Sequence, residues 1–217
     1  NTEGNYGLAY RKLDASLEWI WGGYAFFDNR LTEHHNMFQQ ATLGVEALSE
    51  LWDVRLNTYV PFSTSKKIHS SSAHPKRIIF RGNEEYITAQ KEIALKGFDG
   101  EVGRLIPGTT SVRFYVGGYH FQNKGTRKIN GVRTRLTWAI NDHIDIEADY
   151  QYDNVRHSAP FLWLTLRIPF GEERSQTLTP PERRMPEGII RDTEIPTREK
   201  NVSVPAGRKS IYAAQNG

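Results

Sequence analysis

The segment His143-Ile144-Asp145-Ile146-Glu147-Ala148-Asp149-Tyr150-Gln151-Tyr152-Asp153 decides the fold. Ile144, Ile146, Ala148, Tyr150 and Tyr152 alternate with His143, Asp145, Glu147, Asp149 and Gln151. A period of two puts successive side chains on opposite faces of a β-strand, so one face is apolar and the other strongly acidic. Upstream, Val132, Thr134, Leu136, Trp138 and Ile140 alternate with Arg133, Arg135 and Thr137. Trp52, Val54 and Leu56 alternate with Asp53, Arg55 and Asn57, and Leu162, Leu164, Leu166 and Ile168 with Trp163, Thr165 and Arg167. Between Tyr6 and Phe170 no stretch sustains helical spacing over several turns, and an all-β unit is expected.

Strands are expected near 5–12, 17–27, 37–48, 51–60, 77–82, 85–95, 98–106, 110–121, 129–140, 143–153 and 159–170. Most reach about 9 to 12 residues, longer than the soluble mode of about 5 to 6 and long enough for a tilted strand to cross a bilayer. The expected fold is an antiparallel transmembrane β-barrel. Connections alternate between short and long, as bacterial barrels alternate periplasmic turns with outer loops; only 96–97 is short where a long loop belongs. An even strand number then requires twelve strands with the first one missing or truncated, or ten if 77–82 is no strand. Asn1 is not an initiator and no apolar leader precedes it, so the chain reads as a mature protein or a fragment, and the strand parity favours a fragment.

Composition fits this reading. Hydrophobic residues make up 38%, in runs far shorter than the roughly 18 to 20 that a membrane helix needs. A barrel escapes that requirement because only alternate strand residues face lipid. Aromatics at 12% suit two interfacial girdles. The net charge of +3 is scattered, with no basic block of the kind that binds nucleic acid. The absence of cysteine removes disulfides, thiolate catalysis and Cys-based zinc sites together. Residues 172–217 differ from the rest, carrying five of the ten prolines and no sustained alternation. The division is thus a barrel over 1–171 and a linker over 172–217. At about 3.3 Å per extended residue, the linker more than spans a layer of about 40 to 45 Å.

Gly22-Gly23-Tyr24-Ala25-Phe26-Phe27-Asp28, Leu43-Gly44-Val45-Glu46, Val54-Arg55-Leu56-Asn57-Thr58-Tyr59-Val60-Pro61 and Gly97-Phe98-Asp99-Gly100-Glu101-Val102-Gly103 occur in that order. Tyr150-Gln151-Tyr152-Asp153, Leu166-Arg167-Ile168-Pro169-Phe170-Gly171, Pro181-Glu182-Arg183-Arg184-Met185 and Arg191-Asp192 follow. Order and spacing over about residues 5–195 resemble the barrel domain of inverse autotransporters, the intimin and invasin group. The resemblance implies a twelve-stranded outer-membrane barrel whose linker returns through the lumen and carries a passenger, adhesin-like by kinship, to the cell surface by type V secretion. It further implies outer-membrane lipid and lipopolysaccharide, the barrel-assembly machinery and periplasmic chaperones as partners, a monomeric barrel, and neither enzyme activity nor a cofactor. By analogy with strands that the assembly machinery reads, Phe170 closes the last one with an aromatic; it is equally a girdle residue.

In a barrel the polar face points inward, collecting Glu46, Asp53, Asp99, Glu101, Asp145, Glu147 and Asp149 with Arg55, Arg113, Arg133, Arg135 and Arg167. The hairpin across Asn141-Asp142 pairs residues whose numbers sum to an even value, since an odd sum sets Trp138 against Asp145 on one face. Arg133 and Arg135 then lie beside Glu147 and Asp149, bracing the wall and offering a polar surface to the linker; a solvated face of paired charges is the plain alternative. Gly22-Gly23 and Gly117-Gly118 mark either close approach by the linker or sheet curvature. His34-His35 suits a loop better than a metal site, since neighbours on a strand point apart. Ser70-Ser71-Ser72 with His69 and His74 would make a poorly supported hydrolase, and Asp145, Glu147 and Asp149 form a ladder rather than a cation cage. A stand-alone channel with its tail in the periplasm, and a soluble β-sandwich or lectin-like module, remain the competing readings.

Overall fold

A computed structural model describes residues 2–68, 78–81, 84–141, 144–166 and 179–205, with backbone alone at 78–81, 84–89 and 203–205. Nine strands form one antiparallel sheet that curls into a half-barrel. They are β1 (Thr2–Leu13), β2 (Trp19–Leu31), β3 (Met37–Ser49), β4 (Trp52–Pro61), β8 (Lys96–Leu105), β9 (Val112–Gln122), β10 (Ile129–Asn141), β11 (Ile144–Asp153) and β12 (His157–Leu166), side by side in that order. A smaller sheet holds β5 (Ser65–Lys67), β6 (Ile78–Arg81), β7 (Glu84–Ala94) and β13 (Thr197–Pro205). One short helix, α1 (Pro180–Arg184), precedes β13.

The sheet is inside out relative to a soluble one. Along β4, Asp53, Arg55, Asn57 and Tyr59 are 1%, 2%, 5% and 1% exposed, whereas Leu56 between them is 56% exposed. Phe98, Val102, Phe114, Val116, Val132, Leu136, Trp138, Leu162 and Leu164 are likewise exposed. Burying charges while leaving a wide apolar band outside is unfavourable in water and is what lipid outside and a polar interior require. Among the described residues no helix is long and apolar enough to cross a membrane, which is silent about strands.

Antiparallel order sorts the connections onto two rims. Residues 14–18, 50–51 and 106–111 turn at one rim, and 32–36, 62–95, 123–128 and 154–156 at the other. At the first rim Asp14 accepts from Ser16 Oγ at 2.8 Å and from the amides of Glu18 and Trp19 at 3.1 and 3.3 Å, while Leu17 adopts a positive φ of 60°. These bonds, the Ser16 hydroxyl foremost, hold the Asp14 carboxyl below its ordinary range. Between β10 and β11, Trp138 faces Ile146 and Arg135 faces Asp149, with a bulge between Ala139 and Asn141.

The strands anticipated at 77–82 and 85–95 exist, but they do not belong to the wall. Tyr59 of β4 pairs directly with Gly97 of β8, and β6 and β7 stand in the second sheet as part of a 62–95 excursion from the long-loop rim. Nine of the eleven anticipated strands therefore make the wall. The short 96–97 link was an anomaly only under the expectation that 85–95 crosses; β7 simply continues through Leu95 into β8. Arg167, Phe170, the 171/172 boundary, Ser70-Ser71-Ser72, His69, His74, Asp142 and His143 lie outside the described residues.

Leu56 sits midway along β4 on the apolar outer face. Leu56→Arg is expected to lower stability in lipid vesicles by about 2–4 kcal/mol, as a charge near the bilayer midplane does, while Leu56→Phe stays close to the parent. Urea titration of the vesicle-inserted protein reads both.

Candidate functional site

One register row crosses the whole sheet. Arg11 faces Gly22, Gly22 faces Glu46, Glu46 faces Arg55 and Arg55 faces Glu101. The row continues from Glu101 to Gly117, Arg133, Gln151 and Ala159. Charges of alternating sign meet along it and just beside it. Arg11 Nε lies 2.6 Å from Glu46 Oε1, and Arg55 lies 3.5 Å from Glu46 and 3.0 Å from Glu101. Arg135 bonds Glu101 across β9 and reaches Glu147 at 3.1 Å, and Arg133 stands 3.5 Å from Asp149. These groups are nearly all removed from solvent, so each ion depends on its partners to offset lost hydration.

The glycines of this row make room for the pairs. A Cβ at Gly22 would stand 2.6 Å from Glu46 Oε1, the atom that reaches back over β2 to Arg11. At Gly117 it would stand 2.5 Å from the Gly100 carbonyl and 2.9 Å from Glu101 Cβ, beneath the Glu101–Arg135 pair. The atoms nearest both positions come from the wall itself. Strand alternation puts Gly23 and Gly118 on the outer face, where the nearest atoms are the carbonyls of Gly44 at 3.9 Å and Gly131 at 3.3 Å.

A second layer of polar groups lies beside the belt. Tyr115 donates to Asp53 Oδ2 at 2.7 Å, and the guanidinium carbons of Arg55 and Arg135 lie 5.5 and 3.9 Å from its ring centroid. Asp53 also meets Arg113 at 3.5 Å. Asp99 accepts from Asn57 Nδ2 at 2.8 Å and from the Tyr59 hydroxyl at 2.5 Å. Asp145 lies opposite Ala139 near the short-turn end of β11.

Residues 184–195 run along this concave face from the short-turn rim to the long-loop rim. The approach begins at α1, where the Thr179 amide and hydroxyl donate to Glu182 Oε2 at 2.7 and 2.8 Å and lower the pKa of that carboxyl. Arg184 grips Asp53 with both terminal nitrogens, at 2.5 and 2.9 Å, and donates to the Ser49 carbonyl. Arg11 Nη1 donates to the carbonyls of Met185 and Glu187 at 2.9 and 2.5 Å. Asn57 Nδ2 and the Tyr24 hydroxyl each lie 3.3 Å from the Ile190 carbonyl. Arg191 pairs with Asp28 at 2.9 Å and lies over Phe26, and the Asp192 amide donates to Tyr59 Oη at 2.8 Å. At the far rim Arg30 donates to the Ile195 carbonyl at 2.5 Å, and Ile195 is buried with Phe38 and Ala94. His34 at that rim meets Glu199 at 2.9 Å, and His35 occupies a positive-φ turn position.

Arg11, Asp28, Arg30, Tyr24, Asn57, Tyr59 and Tyr115 were absent from the charge set read from sequence. All lie on the polar side of an alternating strand, which is the signal that finds them. The linker's contributors Arg184, Arg191 and Asp192 sat in the two motifs that follow the barrel.

A curled antiparallel sheet with an exposed apolar band and a buried charge belt is the wall of an outer-membrane β-barrel. A family model described as “Inverse autotransporter, beta-domain” matches residues 1–191. The chain belongs to that family, an outer-membrane barrel family of Gram-negative bacteria that serves secretion and anchoring. A solved structure described as “Unveiling the Mechanism Behind the in-meso Crystallization of Membrane Proteins” is similar in fold, with a TM-score of 0.68 and 12% identity over 91% of this chain and 80% of that one. No curated protein matches the chain.

Gly117→Ala forces backbone of β8 or β9 to move and is expected to cost about 1–3 kcal/mol, whereas Gly23→Ala, with its nearest atom in ordinary contact, is expected to stay within about 0.5 kcal/mol of the parent. Thermal unfolding followed by gel mobility of the unheated and heated protein distinguishes them.

Proposed function

We propose that this barrel anchors and exports its own C-terminal segment: the chain beyond the wall passes through the lumen from periplasm to cell surface and displays an adhesin-like passenger there. Short turns face the periplasm and long loops the outside in bacterial barrels, so α1 marks the periplasmic end of the path and β13 the outer end. Insertion by the barrel-assembly machinery after escort by periplasmic chaperones, contact with lipopolysaccharide on the outer leaflet, and a monomeric barrel belong to the same reading. Glu46, Asp53, Arg55, Asp99, Glu101, Arg113, Arg133, Arg135, Glu147 and Asp149 serve it as the inner lining, with Asp145 extending that lining along its strand.

The observation that carries this reading is the series of wall donors aimed at linker carbonyls, from Met185 to Ile195. An extended chain in a narrow pore has unpaired amides and carbonyls and little water to serve them, so the wall must supply partners. Arg11, Asn57 and Arg30 address main-chain atoms, which every residue type carries. A wall that reads backbone accommodates any unfolded segment that slides along it. The two side-chain locks, Arg184 on Asp53 and Arg191 on Asp28, then fix the resting position.

Single cysteines at Ser65, Ala213 and Asn141 test the direction of the tail. With a membrane-impermeant thiol reagent on intact cells, positions 65 and 213 are expected to label and 141 to stay dark. Labelling at 65 without 213 makes the protein a channel whose tail remains inside, and absence from the membrane fraction returns it to a soluble β domain.

A further inference from the structure

The strand pairing of the wall bypasses the 62–95 excursion, because β4 and β8 pair directly from Trp52↔Arg104 to Tyr59↔Gly97. Within the excursion, β5 and β6 share one edge of β7. The other edge is given over to β13, through nine consecutive antiparallel pairs from Thr197↔Ala94 to Pro205↔Tyr86.

Bonds at the ends of the ladder fix which groups face which neighbour. Ala94 donates to Thr64 O at 3.1 Å and Ile68 donates to Gln90 O at 3.0 Å, so even-numbered residues of β7 turn their main chain toward β5. Leu95 donates to Pro196 O at 2.9 Å, so odd-numbered residues turn theirs toward β13. In register with Ile93, Lys91, Ala89 and Ile87, the amides of Arg198, Lys200, Val202 and Val204 face β7, and those of Glu199 and Asn201 face away.

Side chains add little selectivity to this ladder. Glu199 stands opposite Glu92 and Lys200 opposite Lys91, like charges that weaken a cross-strand pair. Glu92 is instead held by Thr32 Oγ1 at 2.8 Å and Asn36 Nδ2 at 3.0 Å, and Glu199 by His34. Main-chain bonds therefore carry the association. The start of the strand is set by Ile195, buried against Phe38 and Ala94 where the chain leaves the concave face.

We propose that the edge of β7 opposite β5 is a strand-addition site whose ligand is the exported chain itself: it captures residues 197–205 as they emerge and holds the linker against return. The proposal rests on the export reading above. With only the short β5 and β6 on its other edge, β7 is sparsely paired, and an added strand both completes the small sheet and satisfies the emerging backbone. Because the recognition is by main chain, the site accepts successive stretches of a moving polypeptide and rejects those with proline at a donor position.

The test uses the full chain, with a reporter domain after Gly217 and the cysteine at Ala213. Val202→Pro deletes an amide that faces β7, while Asn201→Pro deletes one that faces away; Val204→Pro and Ser203→Pro repeat the comparison. Val202→Pro and Val204→Pro are expected to raise deuterium uptake across 198–204 and to cut surface reporter severalfold, with Asn201→Pro and Ser203→Pro matching the parent and all four barrels remaining heat-modifiable in gels. Equal reporter display in all four variants, or equal loss in all four, overturns the capture site. A parent whose position 213 is not labelled from outside overturns the export reading and capture with it, whereas a labelled parent indifferent to Val202→Pro and Val204→Pro rejects capture alone.

Discussion

Arg55, held between Glu46 and Glu101, is the interaction on which the rest of this structure depends. In a barrel wall the usual arrangement of a core is reversed: lipid takes the apolar residues at no cost, and the interior must reconcile charges that have lost most of their water. A lone ion pair would do so poorly. A row in which Arg55 and Arg135 each meet two carboxylates, and Glu46 and Glu101 each meet two guanidiniums, leaves few charges without a counterpart. The row also fixes register, because a slip of one residue on any strand that contributes a charge turns that charge into lipid.

Geometry explains why two of the nine strands contribute glycine to that row. Arg11 and Glu46 are two strands apart, as are Glu101 and Arg135, and a side chain on the intervening strand would stand between them. Gly22 and Gly117 remove the obstacle.

Most of the wall is legible in the amino-acid sequence because alternation is a local property. Residues 144–152 declare both faces of their strand, and the Arg135–Asp149 neighbourhood follows once Trp138 is kept on the apolar side. Partner choice is not local, and there the reading stops. Residues 84–94 have the length and composition of a wall strand, and nothing within them reveals that β4 bypasses them to reach β8. The single trace was the short 96–97 link, which broke the alternation of turns and loops. The glycines illustrate the same limit: Gly22 and Gly23 look equivalent in a list of residues, yet one underlies an ion pair and the other faces outward. Arg184, Arg191 and Asp192 were visible as motifs without their partners, since Asp53 and Asp28 lie more than a hundred residues earlier.

That β4 and β8 are neighbours irrespective of what joins them has a consequence for variation among relatives. The entropy of closing a connection grows only with the logarithm of its length, by roughly 0.6 kcal/mol per doubling. Segments inserted between Pro61 and Lys96 thus tax the barrel very little, whether they are a tight turn or a small subdomain. This connection can therefore differ greatly in length while the buried charges beneath it keep their partners.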